Sequence, residues 1–120
     1  MIADSPLDWK MIVLSSGRCA VHDDLGDCEL PMRAHHIVTW QALRRHGLSD
    51  LRWCVENGLP VCEGAHRRHH SGRARIPRER LPLAAIAFAE SVGLGYQIER
   101  YYPVVENPGS AIGSTSEVGV

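Results

Sequence analysis

Five of the seven histidines fall in two short segments, His35-His36 and His66-Arg67-Arg68-His69-His70. Imidazole titrates near neutrality and is a common ligand for divalent metals, so these segments are where chemistry is expected. His66 and His70 are four residues apart, which on a helix puts both on one face; His69, three residues from His66, lies on nearly the same face. Two imidazoles at that spacing can hold one metal ion, although a solvated surface pair is the plain alternative. The adjacent pair His35-His36 behaves differently. Neighbouring residues on a strand point to opposite faces, so one can bind a metal while the other approaches a substrate from another side. Phosphodiester hydrolysis needs both functions, charge neutralisation by a metal and proton removal from water by a base. Asn57, in Asn57-Gly58, offers an amide that donates and accepts and can fix the loop holding such a base; a simple turn is the other reading of Asn-Gly.

These residues need elements to carry them. Residues 63–70 read as a helix with an acid in its first turn, Arg and His towards its end, and Ser71-Gly72 as its stop. Leu59-Pro60-Val61-Cys62 reads as a short strand whose proline suits an edge or a start. Residues 19–34 read as a short irregular hairpin leading into His35-His36-Ile37-Val38, with an acidic turn at Asp23, Asp24 and Asp27. Residues 7–14 suit a helix after Ser5-Pro6 or a strand. Residues 40–46 suit a short helix stopped by Gly47. Residues 83–92, LAAIAFAESV, form a helix ended by Gly93, expected to lie as a buried brace over the sheet. From residue 104 onward small and polar residues predict a flexible tail. The expected class is α+β, with one domain over residues 1–103.

A net charge of −1 excludes a chain that binds nucleic acid by bulk basicity. The distribution is uneven: Arg67, Arg68, Arg73, Arg75, Arg78 and Arg80 face a single acid, Glu79, and a local arginine track can bind phosphate on a neutral protein. A solvated charged face is the alternative. The start lacks the pattern of a signal peptide and no apolar run reaches membrane-span length, which predicts a cytoplasmic protein with no membrane partner. In a reducing compartment, Cys19, Cys28, Cys54 and Cys62 beside histidines favour metal over disulfide. Cys54, beside Trp53, reads as core.

Taken together, Ala34-His35-His36-Ile37-Val38, Asn57-Gly58-Leu59-Pro60-Val61-Cys62 and His66-Arg67-Arg68-His69-His70 resemble the HNH endonucleases, in particular the small HNH proteins of bacteriophages and bacteria. The spacing from Asn57 to His66 to His70 is similar to that of colicin-type DNases. The resemblance covers residues 17–72 and, more loosely, a C-terminal extension over 77–103. It implies a ββα-metal core with a short antiparallel hairpin, flanking helices and a C-terminal helix. It implies His35, His66 and His70 as ligands of one divalent ion (Mg, Mn, Ni or Zn), with His69 competing for the place of His70. His36 would be the general base, Asn57 would orient its loop, and Arg67 and Arg68, with Arg73 and Arg75, would meet phosphate. The implied substrate is double-stranded DNA in a bacterial cytoplasm, cut to 5′-phosphate and 3′-hydroxyl ends.

Many such proteins also hold a structural zinc on two Cys-x-x-Cys knuckles. Here the first reads Cys19-Ala20-Val21-His22, and Ala65 stands where the second Cys after Cys62 would be. Cys19, His22, Cys28 and Cys62 would complete a tetrahedral set; a decayed site of ordinary buried cysteines is the alternative. A zinc-stabilised DNA-binding module without catalysis would use the same cysteines and arginines but has no need of His36 or Asn57. No HExxH helix points to another class of metalloenzyme, and no dimerisation signal is visible, so the oligomeric state stays open, a monomer included.

Overall fold

The computed structural model describes residues 1–21 and 28–105; the acidic turn, His22 and nearly all of the expected tail lie outside these residues. The class is α+β: the described residues form one two-stranded antiparallel sheet and five α-helices. Helix α1 spans Pro6–Val13, with the Ser5 hydroxyl accepting the Asp8 amide at 3.1 Å and Pro6 opening its first turn. Strand β1 is Met32–His36, helix α2 is Trp40–Arg45, strand β2 is Gly58–Cys62 and helix α3 is Glu63–Ser71. Helices α4, Leu83–Ser91, and α5, Gly95–Tyr101, follow. Among the described residues, no helix is long and apolar enough to cross a membrane.

The hairpin differs from the sequence expectation. The described part of residues 19–34 adds strand only from Met32, and the partner is the segment 58–62. A local reading favours neighbours in sequence, whereas the apolar faces here are matched across a connection that holds α2. The register pairs His35 with Leu59 and His36 with Gly58. Ala34 pairs with Pro60, whose carbonyl turns outward and accepts the Ala20 amide at 2.8 Å. Its missing N–H therefore falls on the outer edge, outside the β1 ladder.

Directly paired residues share a face, so the sheet separates two cores. His35, Leu59 and Val61 face the larger core, with Ile37, Leu43, Ala65, Ile76, Leu94, Ile98 and Tyr102. Ala34, His36 and Gly58 face α1, where Trp9 and Val13 are buried. Gly58 is not a turn residue; its φ is −106°. A Cβ there would collide with the Val13 side chain and press on Trp9, so glycine is needed for close approach of α1.

Helix α4 is not a buried brace. Leu83 is 84% exposed, only Ala85 and Ala89 are buried, and the main contacts run to α5 and to the single turn at Val55–Asn57. A helix rich in alanine is apolar all round but has little area to bury on any face. Its role is to turn the chain into α5, which the sequence reading missed and which ends at the buried Tyr102.

Candidate metal centre and its surroundings

Helix α3 starts at Cys62, whose sulfur accepts the Ala65 amide at 3.3 Å, and stops at Gly72 with φ 78°. This phase turns His66 and His70 towards β1. Their Nε2 atoms lie 3.1 Å apart, and the His35 ring stands 5.3 Å and 5.5 Å from the two rings. One nitrogen from each of His35, His66 and His70 falls within 4.8 Å of the others.

The protonation of His35 follows from its neighbours. Tyr102 donates its one hydroxyl hydrogen to the Ile37 carbonyl at 2.8 Å. At 2.7 Å from His35 Nε2 the same hydroxyl can only accept, so the proton of His35 sits on Nε2. Nδ1 then carries a bare lone pair. It is buried and has no hydrogen-bond partner among the described residues. Such an atom costs about 1–3 kcal/mol unless something binds it. Burial first, then the neighbouring imidazoles, hold His35 well below the ordinary imidazole value; burial and the His70 ring lower His66, and burial and Arg75 lower His70. Three neutral imidazoles, one with an unused buried lone pair and its other nitrogen held by an oxygen, fit a divalent cation.

His36 lies on the other face of β1. Its ring stacks on Trp9 at 4.3 Å and 16°, with Trp53 tilted against it at 5.8 Å. Nε2 donates to the Arg52 carbonyl at 2.9 Å, which leaves Nδ1 as the basic atom, without a partner among the described residues. Burial lowers its pKa, partly offset by that carbonyl, so His36 is neutral at pH 7.

Asn57 is fully buried and clamps the two residues after the histidine pair. Its Oδ1 accepts the Val38 amide at 2.7 Å, its Nδ2 donates to the Val38 carbonyl at 2.9 Å, and its own carbonyl accepts the Ile37 amide at 2.9 Å. The side chain thus continues the hairpin ladder beyond His36 where the backbone departs. His69 stands outside the ligand cluster. Its Nδ1 accepts the Ile76 amide at 3.0 Å and its ring stacks on Tyr102, so it braces the segment after α3. Burial and Arg75 push its pKa down to about 4.

The arginines divide. Arg67 and Arg68 both pair with Glu29, at 2.9 Å and 3.2 Å, and hold that carboxyl below the usual range. Arg73 is exposed just past α3. Arg75 donates to the His69 carbonyl at 2.7 Å, lies over Tyr101, and lines a small pocket with His35, Thr39, His70 and Tyr102.

A second cluster lies at the other end of the hairpin. The sulfurs of Cys19, Cys28 and Cys62 are within 4.8 Å of one another, and Cys19 accepts the Cys62 amide at 3.3 Å. Burial and the facing Cys19 raise the Cys28 thiol to about 11. Burial opposes ionisation of Cys62, but the Ala65 amide and the facing thiols hold it below the ordinary value. Three adjacent thiols that would lose their protons on binding a cation form a donor set that fits a metal such as zinc. Ala65 is buried at the place of the absent Cys, and His22 lies outside the described residues. Cys54 stands apart, buried, with its thiol on Glu56.

The residues missed from the sequence are Tyr102, Trp9 and Arg52, the last through its carbonyl. Tyr102 is 67 positions from His35, and no local pattern links them. No family model matches the sequence, and no curated protein or solved structure matches it.

Proposed function

We propose that the chain is a metal-dependent endonuclease of the HNH type, hydrolysing phosphodiester bonds of double-stranded DNA. The observation that carries this reading is the buried, partnerless Nδ1 of His35 beside His66 and His70, with His36 next to it in sequence and already stripped of its Nδ1 proton. The chain order β1, β2, α3 around that cluster supports a ββα-metal core. His35, His66 and His70 would hold one divalent ion, which would neutralise charge building on the phosphate and the leaving oxygen. An all-imidazole set suits Zn, Ni or Mn better than Mg, which prefers oxygen.

His36 Nδ1 takes the proton of an attacking water. The Arg52 carbonyl, accepting from Nε2, orients the ring and stabilises the imidazolium that forms. Asn57 keeps the backbone after His36 in place. Water attacks phosphorus in line and the bond to the 3′ oxygen breaks, giving 5′-phosphate and 3′-hydroxyl ends. Cys19, Cys28 and Cys62 would hold a structural zinc that ties the start of β1 to α3.

The cysteine cluster also favours a second reading, a zinc-stabilised DNA-binding module. That reading explains the thiols but leaves the bare nitrogen of His35 and the oriented His36 without a use. Incubation of supercoiled plasmid with the protein and each of Mg, Mn, Ni and Zn separates the two. Nicking with at least one ion, abolished by chelator, is expected; DNA binding without cleavage under any ion would leave the module.

A further inference from the structure

A guanidinium already paired with a carboxylate offers DNA a partly neutralised charge, so arginines without such a pair are the stronger phosphate contacts. Arg33 pairs with Glu63, Arg67 and Arg68 with Glu29, and Arg78 with Glu99. Arg73 and Arg75, past α3, make no ion pair among the described residues, and neither do Arg44, Arg45 and Arg52. Two of the last three are held by aromatic rings instead. Arg44 lies 4.7 Å from the centre of the Trp40 ring, and Arg52 lies 5.6 Å from Trp40 and 5.2 Å from Trp53. The result is a continuous ladder, Arg44–Trp40–Arg52–Trp53, along α2 and the turn after it. A cation–π contact holds a guanidinium in place while leaving its charge and its N–H edges available.

The ladder ends at the base. The Trp53 ring is 5.8 Å from His36, and the Arg52 carbonyl is the acceptor for His36 Nε2. We infer that the Arg44–Trp40–Arg52–Trp53 ladder, and not the Arg67-Arg68 pair on α3, is the surface that holds the phosphate backbone of duplex DNA next to the scissile bond. The inference rests on the nuclease reading for its direction towards His36. The occupant is backbone and not stacked bases, because Trp40 and Trp53 spend ring faces on guanidiniums and the Trp40 indole N–H is itself buried, so it is the guanidinium N–H edges that meet the ligand. Contacts of that kind position DNA without reading its sequence. Asp50 lies on the same turn but pairs with none of the three arginines.

Binding of a short fluorescein-labelled duplex, followed by anisotropy across a range of NaCl in the presence of chelator, tests this without cleavage. Each phosphate contact contributes about 0.9 to the slope of log affinity against log salt. Arg44→Gln with Arg52→Gln is expected to lower that slope by about 2, equally for two duplexes of unrelated sequence. Both variants keep the indoles and the Arg52 carbonyl, and an unchanged thermal midpoint shows that the fold survives. An unchanged slope, a larger drop from Arg67→Gln with Arg68→Gln, or tighter binding of the single strand than of the duplex would each overturn the inference. Failure of the wild type to bind the duplex at all would also overturn it. Duplex binding through these arginines with no cleavage under any metal would instead remove the nuclease reading and leave the surface intact.

Discussion

Replacing Tyr102 by phenylalanine removes one oxygen and two buried hydrogen bonds, of 2.7 Å to His35 and 2.8 Å to the Ile37 carbonyl, while keeping the ring that stacks on His69. The Ile37 carbonyl is left without its donor at a cost of about 1–3 kcal/mol. His35 has an escape open to it: its proton can move from Nε2 to Nδ1, the buried atom that has no hydrogen-bond partner among the described residues. That move blocks the lone pair a metal would need. The penalty therefore appears in metal affinity as well as in stability. Loss of a partner behind a ligating histidine typically costs 10–100-fold in affinity, or about 1.4–2.8 kcal/mol. Calorimetric titration of wild type and Tyr102→Phe with zinc or manganese measures this, and thermal unfolding in chelator isolates the effect on the fold alone. Weaker binding by a variant that still folds without metal is expected. Wild-type affinity in a folded Tyr102→Phe would refute the assignment of Nδ1 as the donor atom.

Three other outcomes follow from the same geometry. Asn57→Ala strands the Val38 amide and carbonyl in the interior and should lower unfolding stability by about 2–5 kcal/mol, read by urea denaturation; a loss below about 1 kcal/mol would mean the clamp is dispensable. His69→Ala and His70→Ala should separate cleanly: the first lowers the thermal midpoint through the lost bond to Ile76, whereas the second leaves the metal-free midpoint near wild type and abolishes metal uptake. Acidification should destabilise the metal-free protein. His35, His66, His69 and His70 all titrate below the ordinary value of 6.5, so the unfolded chain takes up protons first as pH falls through 6.5. For His69 the loss continues to about 4, and greater stability at mildly acidic than at neutral pH would contradict these shifts.

Local chemistry was legible in the sequence, and long-range pairing was not. The α3 helix, its glycine stop and the shared face of His66 and His70 follow from spacing and end signals within a dozen residues. The part of Asn57 was one of two readings of Asn57-Gly58, since an amide that donates and accepts can fix a loop; only its burial and its two bonds to Val38 separate that from a simple turn. The fate of Arg67 and Arg68 was not, since Glu29 meets them from 38 and 39 positions away. Likewise, Gly58 read locally as part of a turn, and only the approach of α1 from the other side reveals why a side chain is excluded there. Helix α4 misled because its alanines mimic a core segment in composition while offering too little surface to be one. The third histidine of the cluster was readable; the tyrosine that sets its tautomer arrives from α5, a helix with no strong signal of its own.

The central claim is a division of labour, with His35, His66 and His70 holding the ion and His36 activating water. Plasmid cleavage by His36→Ala, measured beside its metal affinity by calorimetry, tests it most directly. The account predicts that the variant takes up metal as the wild type does and fails to cut. Cleavage that persists in His36→Ala at matched metal occupancy would contradict it.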